Sequence, residues 1–498
     1  MRCARLSGMF GTALTAIVAL GALPAGAGTS SFGSVVAAQA PGCVPVPAAE
    51  CGSVRVPLFR SKPAGPKIDV AYVLVHHRDP ALPTARGTVA FNPGGPGDAV
   101  INNAAMWSET FADLLDDHDL LLIDPRGTGR SHPIRCGLTS IPATRKGFAR
   151  AIGICGKRLG RHARAYTSAA TADDFEAVRA HLGIAKLDLY GVSSGTYLMT
   201  VFAQRHPDAV RSIVLSSAFP LGFDMWGRAN AQAVRMAVRR VCARSTTGKC
   251  DGARTLRQLG RLARRVRAHP IPYRLHGERR LLDETALAGI VYWAGTGGQI
   301  GQLPAVVRAA LKGDTRPLIS ATRLVGPLFS GSQAAPDGAP DLAVPASILC
   351  NDFPTLWDRR APISVRGRQF AARRARLDPS AFRPFSTRAW TSAIVDRGNT
   401  CIRWPDRHGP VQRTTGPFPD VPVLIISGDL DPNVPTAEGR QAAHQFPHAQ
   451  VIDVPNASHV PEVSEPTGCA LSITSDYIRN QRLGDSSCLA NIPPLPVS

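Results

Sequence analysis

Short apolar runs recur through the first half of the chain and return near its end. Eight of them have the length and the β-branched or aliphatic content of buried strands. They cover residues 54–58, 68–77, 87–91, 120–123, 187–190, 213–216, 423–427 and 451–454. Segments with helical spacing separate several of these runs, so the pattern predicts a mostly parallel sheet with helices on both faces.

The alternation of strands and helices stops between residues 219 and 413. In this part the apolar residues recur at helical spacing, most clearly over 234–241, 285–293 and 303–311. We therefore expect an α/β core, formed by residues 51–218 and 414–498, which carries a helical cap of residues 219–413. The length of 498 residues fits this division, because one compact core usually holds fewer.

The first residues have the features of a secretory signal. Arg2 and Arg5 precede an apolar stretch at 9–23 that is too short to span a bilayer comfortably. Small residues follow, so we expect a signal peptide of residues 1–27 and a leader of residues 28–50. Cleavage after Ala40 is the alternative, which Pro41 disfavours. The expected location is extracellular.

The cysteines agree with export. Ten remain outside the signal segment, and they form neighbouring couples along the chain. An even number in an oxidising compartment favours disulfides, for which consecutive pairing is one arrangement that the sequence allows. Cys-x-x-Cys and His-Glu-x-x-His motifs are missing from the sequence, so we predict neither a metal site nor a cofactor.

The chain is strongly basic, with 57 Lys and Arg against 37 Asp and Glu and a formal net charge of +20. Arginines such as Arg235, Arg239, Arg261 and Arg264 recur at helical spacing, which is typical of solvated helix faces. No zinc-finger, RNA-recognition or basic-zipper pattern accompanies them, so we do not expect nucleic-acid binding. Contact with an anionic cell-wall surface is the remaining hypothesis.

Residues 191–195 form a Gly-Val-Ser-Ser-Gly motif between a predicted strand and a predicted helix. At such a strained turn the residues two positions from the serine come too close to other backbone for a Cβ, and the hydroxyl is lifted clear of the sheet. Ser193 is therefore the predicted nucleophile. Ser194 is a poor rival, because Val192 and Thr196 flank it at two positions.

A serine hydroxyl needs a general base, and the base needs a carboxylate to orient it. Asp431 follows the predicted strand 423–427, with Asp429 as the alternative, and His459 follows the predicted strand 451–454. Active-site groups of open α/β sheets collect beyond the strand ends. The chain order of serine, acid and histidine thus predicts an α/β-hydrolase fold with Ser193, Asp431 and His459 as its triad.

The oxyanion of an acyl-transfer reaction needs two backbone N–H donors. One donor is expected from Ser194, directly after the nucleophile, and the other from the glycine-rich loop at 93–97. Gly94 is the first choice and Gly95 the second, because glycine allows a close approach of the backbone to the substrate carbonyl.

Together these motifs resemble the tripeptidyl-aminopeptidase and proline-iminopeptidase family of α/β-hydrolases. The resemblance implies a secreted serine exopeptidase that acts on free peptide N-termini, with a helical cap over its active site. Ser194, Val434 and Val460 stand where this family usually has tyrosine, threonine and glycine; the departures change the pocket wall and leave the triad intact. The segments that carry the resemblance are 51–58, 92–97, 124–131, 172–196 and 469–488.

An aminopeptidase must also hold the ammonium group of its substrate, which requires a desolvated carboxylate in the cap. Residues 350–352 resemble a cap motif of the family, so Asp352 is the predicted anchor. A capping or ion-pairing role for this aspartate is the competing interpretation. A carboxylesterase with the same triad, or a binding protein that kept only the fold, are the alternative functions.

Overall fold

Ten strands form two sheets in the part of the chain that the structure describes, and the eight strands of the larger sheet correspond to the eight apolar runs of the sequence. In that sheet the order is β1-β2-β4-β3-β5-β6-β9-β10; the pairs β1–β2 and β2–β4 are antiparallel, and the other five pairs are parallel. The predicted mostly parallel sheet is therefore confirmed. The strands are β1 (Ala49–Pro57), β2 (Lys67–Val75), β3 (Thr88–Asn92), β4 (Asp119–Ile123), β5 (Leu187–Val192), β6 (Val210–Ser216), β7 (Ile271–Leu275), β8 (Glu278–Leu282), β9 (Val423–Gly428) and β10 (Ala449–Val454).

The computed structural model describes residues 43–142, 144–246, 250–275, 277–325, 341–405 and 411–498. The predicted signal peptide and most of the predicted leader lie outside these described residues. The central strands β3, β5 and β9 are buried at every position. Helices cover both of their faces, which explains why these strands are continuous apolar runs rather than alternating ones.

Helices of the core flank the sheet. Because its central strands are parallel, their carboxyl ends lie at one edge. One of these helices, α3, starts at Ser168. Thr167 is its N-cap and accepts the Ala170 N–H, while the Thr171 hydroxyl donates back to the Thr167 carbonyl. The core helices are α1 (Ala104–Thr110), α2 (Arg145–Leu159), α3 (Ser168–His181), α4 (Ser194–Arg205), α13 (Thr436–Ala443), α14 (Pro461–Ser464) and α15 (Cys469–Asn480).

The segment between β6 and β9 is helical, as the apolar spacing predicts, but it also contains the antiparallel hairpin β7–β8, which the sequence analysis missed. Its short strands alternate exposed with half-buried residues and so lack a strong apolar signal. The cap helices are α5 (Arg228–Ala243), α6 (Gly252–Ala268), α7 (Glu284–Trp293), α8 (Leu303–Leu311), α9 (Arg316–Val325), α10 (Ala343–Asn351), α11 (Ile363–Ala375) and α12 (Thr387–Ala393).

Five disulfides join the ten cysteines in consecutive pairs, which confirms the expectation from their number and spacing. Four of them close loops of 8 or 19 residues, whereas Cys350–Cys401 closes a loop of 51 residues. This longest link ties α10 to the end of the cap segment, close to the return of the chain into the core. The pairs are Cys43–Cys51, Cys136–Cys155, Cys242–Cys250, Cys350–Cys401 and Cys469–Cys488.

Candidate active site

The turn between β5 and α4 presents Ser193 in a backbone conformation that is unusual for a serine, with φ 53° and ψ −126°. A Cβ on Gly191 would lie 2.7 Å from the Gly195 carbonyl oxygen, and one on Gly195 would lie 2.3 Å from the Asn92 carbonyl oxygen. Both positions therefore require glycine. The steric reason for the motif in the sequence holds in three dimensions, and it stores strain at the residue that carries the hydroxyl.

Ser193 and Asp431 both contact the imidazole of His459. The distance from Ser193 Oγ to His459 Nε2 is 3.0 Å, and the distance from His459 Nδ1 to Asp431 Oδ2 is 2.8 Å. These three residues follow β5, β9 and β10, which lie in the same half of the sheet with β6 between β5 and β9. The structure thus brings the predicted triad together in hydrogen-bonding order, nucleophile to base to carboxylate.

The carboxylate of Asp431 is held in place by several donors. Its Oδ1 accepts the N–H groups of Asn433 at 2.8 Å and Val434 at 3.1 Å, and its Oδ2 accepts the Ser217 hydroxyl at 3.1 Å. Asp431 is only 2% exposed. These three donors fix the orientation of the carboxylate, which is what an imidazole needs from its partner.

Asp429, the alternative acid, has a different role. Its carboxylate pairs with Arg244 at 2.6 Å and accepts the Asn456 N–H at 2.9 Å. Arg240 also donates to the Asp429 backbone carbonyl. Asp429 therefore ties the C-terminal end of the cap helix α5 to the core through Arg240 and Arg244, so not all arginines of this region lie on a solvated helix face.

In the glycine-rich loop after β3, the contacts favour the second choice of oxyanion donor over the first. The Gly94 N–H donates to Asn92 Oδ1 at 3.0 Å and is not directed to a substrate. Gly95 lines the same cavity as Ser193 and Ser194, and its φ of 105° is a glycine conformation. The second choice, Gly95, is therefore the better candidate for the second oxyanion donor, because the Asn92 side chain occupies the Gly94 donor.

A cavity of about 390 Å³ surrounds the hydroxyl of Ser193 and the His459 ring. Its walls are mostly apolar and come from both the core and the cap. A mostly apolar pocket with a few polar groups is the usual form of a small-molecule or peptide site. The apolar walls are formed by Phe219, Tyr292, Trp293, Leu349, Phe353 and Val434.

Asp396 is the charged side chain that the sequence analysis missed in this cavity. Its Oδ1 is inaccessible to water and has no hydrogen-bond partner among the described residues. Burial raises the pKa of the Asp396 carboxyl, while Arg397, Arg145 and His459 act in the opposite direction. No motif marks Asp396 in the sequence, since a single aspartate between α12 and a cysteine has no distinctive spacing.

The loop that carries Asp396 is fixed from the core. Arg145 of α2 donates to the Ile394 carbonyl at 2.8 Å, to Asn399 Oδ1 at 2.7 Å and also to the Arg397 carbonyl. Arg397 itself is buried and pairs with Glu438 of α13 at 2.9 Å. Residues of both parts of the core therefore hold Asp396 in its place over the cavity.

Asp352, the predicted ammonium anchor, does not line the cavity around Ser193. It is 5% exposed, and its carboxylate accepts the Ser168 N–H at 2.6 Å, next to the start of α3. Burial raises the pKa of Asp352 to about 7. The structure thus favours the competing interpretation, in which Asp352 binds a helix terminus and not a substrate.

Neither a metal-binding cluster nor a membrane-spanning helix occurs among the described residues. No group of three or more His, Cys, Asp or Glu side chains in these residues is arranged to hold a metal ion. Within the same residues, the structure contains no helix with the length and apolar character needed to cross a membrane.

Two family models match the chain. The model for the α/β hydrolase fold matches residues 87–240, and the model for TAP-like proteins matches residues 387–488. The first match contains β3, β5 and the Ser193 turn, and the second contains Asp396, Asp431 and His459. The matches therefore include both segments that supply the candidate site.

Several curated proteins are similar to this chain over part of its length. A tripeptidyl aminopeptidase of Streptomyces lividans is 32% identical over 206 residues, which cover 36% of this chain and 37% of that protein. The serine protease Hip1 of Mycobacterium tuberculosis is 31% identical over 188 residues, covering 34% and 35%. Carboxylesterase B of the same species is 36% identical over 91 residues, covering 18% and 17%.

Solved structures align over most of the chain but with low scores. An esterase from Thermogutta terrifontis has a TM-score of 0.36 at 16% identity and covers 86% of this chain and 97% of its own. Proline iminopeptidase from Mycobacterium smegmatis has a TM-score of 0.35 at 15% identity and covers 86% and 98%. Scores of this size support no conclusion about function. The sheet order and the family models show an α/β-hydrolase fold, and the chain matches 37% of the length of the tripeptidyl aminopeptidases to which it is similar.

Proposed function

We propose that this protein is a secreted serine exopeptidase that cleaves peptides with a free N-terminus through an acyl-enzyme. The observation that carries the proposal is the contact of His459 with both Ser193 and Asp431, at 3.0 Å and 2.8 Å. A hydroxyl in contact with a neutral imidazole can lose its proton as it attacks a carbonyl, and the buried carboxylate stabilises the imidazolium that forms.

The reaction follows from these contacts. Ser193 Oγ attacks the scissile carbonyl carbon while His459 Nε2 takes the hydroxyl proton, and the N–H groups of Gly95 and Ser194 stabilise the oxyanion. His459 then gives that proton to the leaving amine as the C–N bond breaks. Water attacks the resulting ester while His459 takes a proton from it, and His459 then returns this proton to Ser193 Oγ as the ester bond breaks and the acid is released.

The requirement for a free N-terminus is assigned to Asp396. An ionised carboxylate oxygen without a partner, inside a mostly apolar cavity, is costly unless a cation binds there. The α-ammonium group of a peptide is a cation whose distance from the carbonyl that Ser193 attacks is set by the number of residues released. The pair would form only when the substrate enters, so its energy would favour peptides with an unblocked amine.

Wild-type enzyme is tested with chromogenic amides of free and acetyl-blocked peptides, one to three residues long, beside a p-nitrophenyl ester. Cleavage of the free peptides with little cleavage of the blocked ones is the expected result. Equal cleavage of both would contradict the exopeptidase assignment. Cleavage of the ester alone would leave the carboxylesterase alternative, which the apolar cavity walls and the name of one mycobacterial relative favour.

Two buried aspartates of the cap provide a matched pair of variants. We expect D396N to lower kcat/KM for free peptides by about two to three orders of magnitude, the usual cost of removing one partner of a buried charge pair. Its effect on the ester should be less than about threefold, because an ester without an amine never forms the pair. D352N is the control and should leave both activities within about threefold of wild type. Equal losses in the two variants would contradict the role of Asp396.

A further inference from the structure

The positive charge of this chain is concentrated in the cap. Residues 219–413 contain 32 Lys and Arg against 13 Asp and Glu, whereas the rest of the chain contains 25 against 24. Almost all of the net charge of +20 therefore belongs to the cap, although the cap is less than half of the chain. A general preference for arginine would have made the core basic as well, so the asymmetry needs an explanation of its own.

Helix α6 carries part of this positive charge at regularly spaced positions. One face of the helix is buried in the cap through Leu259, Leu262 and Val266. The opposite face is exposed, and we call Arg254, Arg257, Arg261 and Arg264 the α6 arginine face. The steps of three or four residues place successive arginines about 4.5–6 Å apart along the helix axis, over a total of about 15 Å.

The α6 arginine face has no ion pair with a described carboxylate. In contrast, two neighbouring arginines of the same helix have partners, since Arg265 donates to the Leu311 carbonyl and Arg267 pairs with Glu284 at 2.6 Å. The acid next to the face is Asp251, which is exposed and caps the helix by accepting the Arg254 N–H at 3.0 Å. Four like charges in a row repel one another by a small amount, and an external anion would remove that cost.

A second helix extends the basic surface beside the start of α6. Arg239 of α5 is exposed, and its Cα lies 2.8 Å from the position of a Cβ on Gly252. None of the cavity-lining residues around Ser193 belongs to α6. The α6 arginine face thus contributes no residue to the candidate active site.

We propose that the α6 arginine face binds a linear polymer of phosphate groups and so attaches the enzyme to an anionic matrix. Guanidinium groups bind phosphate oxygens in pairs, and the regular spacing along a straight helix fits a linear chain of charges better than a compact anion. The exposed positions of α6 include no aromatic side chain on which a nucleic-acid base could stack. The α6 arginine face would therefore bind the phosphate charges and not bases.

The test measures binding to immobilised long-chain inorganic polyphosphate over a series of salt concentrations. The variant R254Q/R257Q/R261Q/R264Q removes the face, and glutamine keeps the helix propensity. The control R150Q/K157Q/R161Q/R164Q removes four positive charges at exposed positions of the core. Both variants should keep the thermal midpoint of the wild type within about 2 °C, since all eight side chains are exposed.

We expect wild type and control to bind alike, and the α6 variant to bind at least about tenfold more weakly. Its slope of log K against log salt should be smaller by about 3, which corresponds to four fewer phosphate contacts. Equal weakening in both variants would show that net charge alone is responsible and would overturn the proposal. Absence of wild-type binding to polyphosphate, or binding only to nucleic acid, would overturn it as well.

Discussion

Replacing Asp352 by asparagine should stabilise the protein at neutral pH and not at acidic pH. The carboxyl group is 5% exposed, and burial raises its pKa from 3.8 to about 7. Between these two values the folded chain retains a proton that the unfolded chain has already lost. Stability contributed by this group is therefore greatest below pH 4 and declines as the pH rises to 7, above which the loss is constant.

The size of the effect follows from the two pKa values. Between pH 5 and pH 7 the folded protein holds one extra proton, and each pH unit costs about 1.4 kcal/mol, so the wild type loses about 3 kcal/mol over this interval. Asparagine does not titrate, and its oxygen can still accept the Ser168 N–H. For a chain of this length 1 kcal/mol corresponds to about 1 °C in the thermal midpoint.

The assay is calorimetry of wild type and D352N at pH 5 and pH 8, with the disulfides intact. The difference in midpoint, variant minus wild type, should increase by about 3 °C from the lower to the higher pH. D208N, at an exposed position of the core, serves as the control and should show no such change. A difference that is independent of pH, or that decreases with pH, would refute the assignment of Asp352 as a buried and mostly protonated group.

Three further substitutions test the candidate site and the buried ion pair beside it. D431N should lower the rate of phosphonate labelling of the serine by about 10⁴-fold, because the imidazole loses the partner that fixes its tautomer. G95A should lower kcat by about 10²–10³-fold, since the new Cβ would lie 2.2 Å from Asp98 Oδ1 and displace the donor; retained kcat would return the assignment to Gly94. R397M should destabilise the fold by about 3–5 kcal/mol in denaturant unfolding, because Glu438 would keep a buried charge without its partner; an unchanged midpoint would contradict this.

The sheet and the triad could be predicted because their signals are local in the sequence. Buried parallel strands are short apolar runs, and all eight are visible without any knowledge of the fold. The order of the serine, the acid and the histidine along the chain follows from the strands that precede them. The Ser193 turn adds a steric rule, which any L-residue at 191 or 195 would break.

Two choices made from the sequence, the second oxyanion donor and the ammonium anchor, are not supported by the structure. Each was a choice between residues of the same type. Gly94 and Gly95 are equivalent in the sequence, and only the Asn92 side chain, which binds the Gly94 N–H, separates them. Asp352 and Asp396 are both aspartates in apolar parts of the cap. Which of them faces Ser193 depends on how the cap loops are fixed by Arg145 and by distant cysteines, and no local pattern contains that information.

The loop that carries Asp396 lies within the cap segment of the sequence, but hydrogen bonds fix it to the core. Arg145 donates to carbonyl groups of the loop on one side, and Glu438 pairs with Arg397 of the loop on the other. We expect helices α5, α6, α8 and α9, which contribute no lining residue to the cavity around Ser193, to tolerate exchange between relatives with little change in which substrates are accepted. A hybrid enzyme that carries these helices from a relative should bind anionic surfaces as that relative does, and should select substrates as the enzyme that receives the helices does. The outer part of the cap can then adapt to its surroundings independently of the chemistry beneath it.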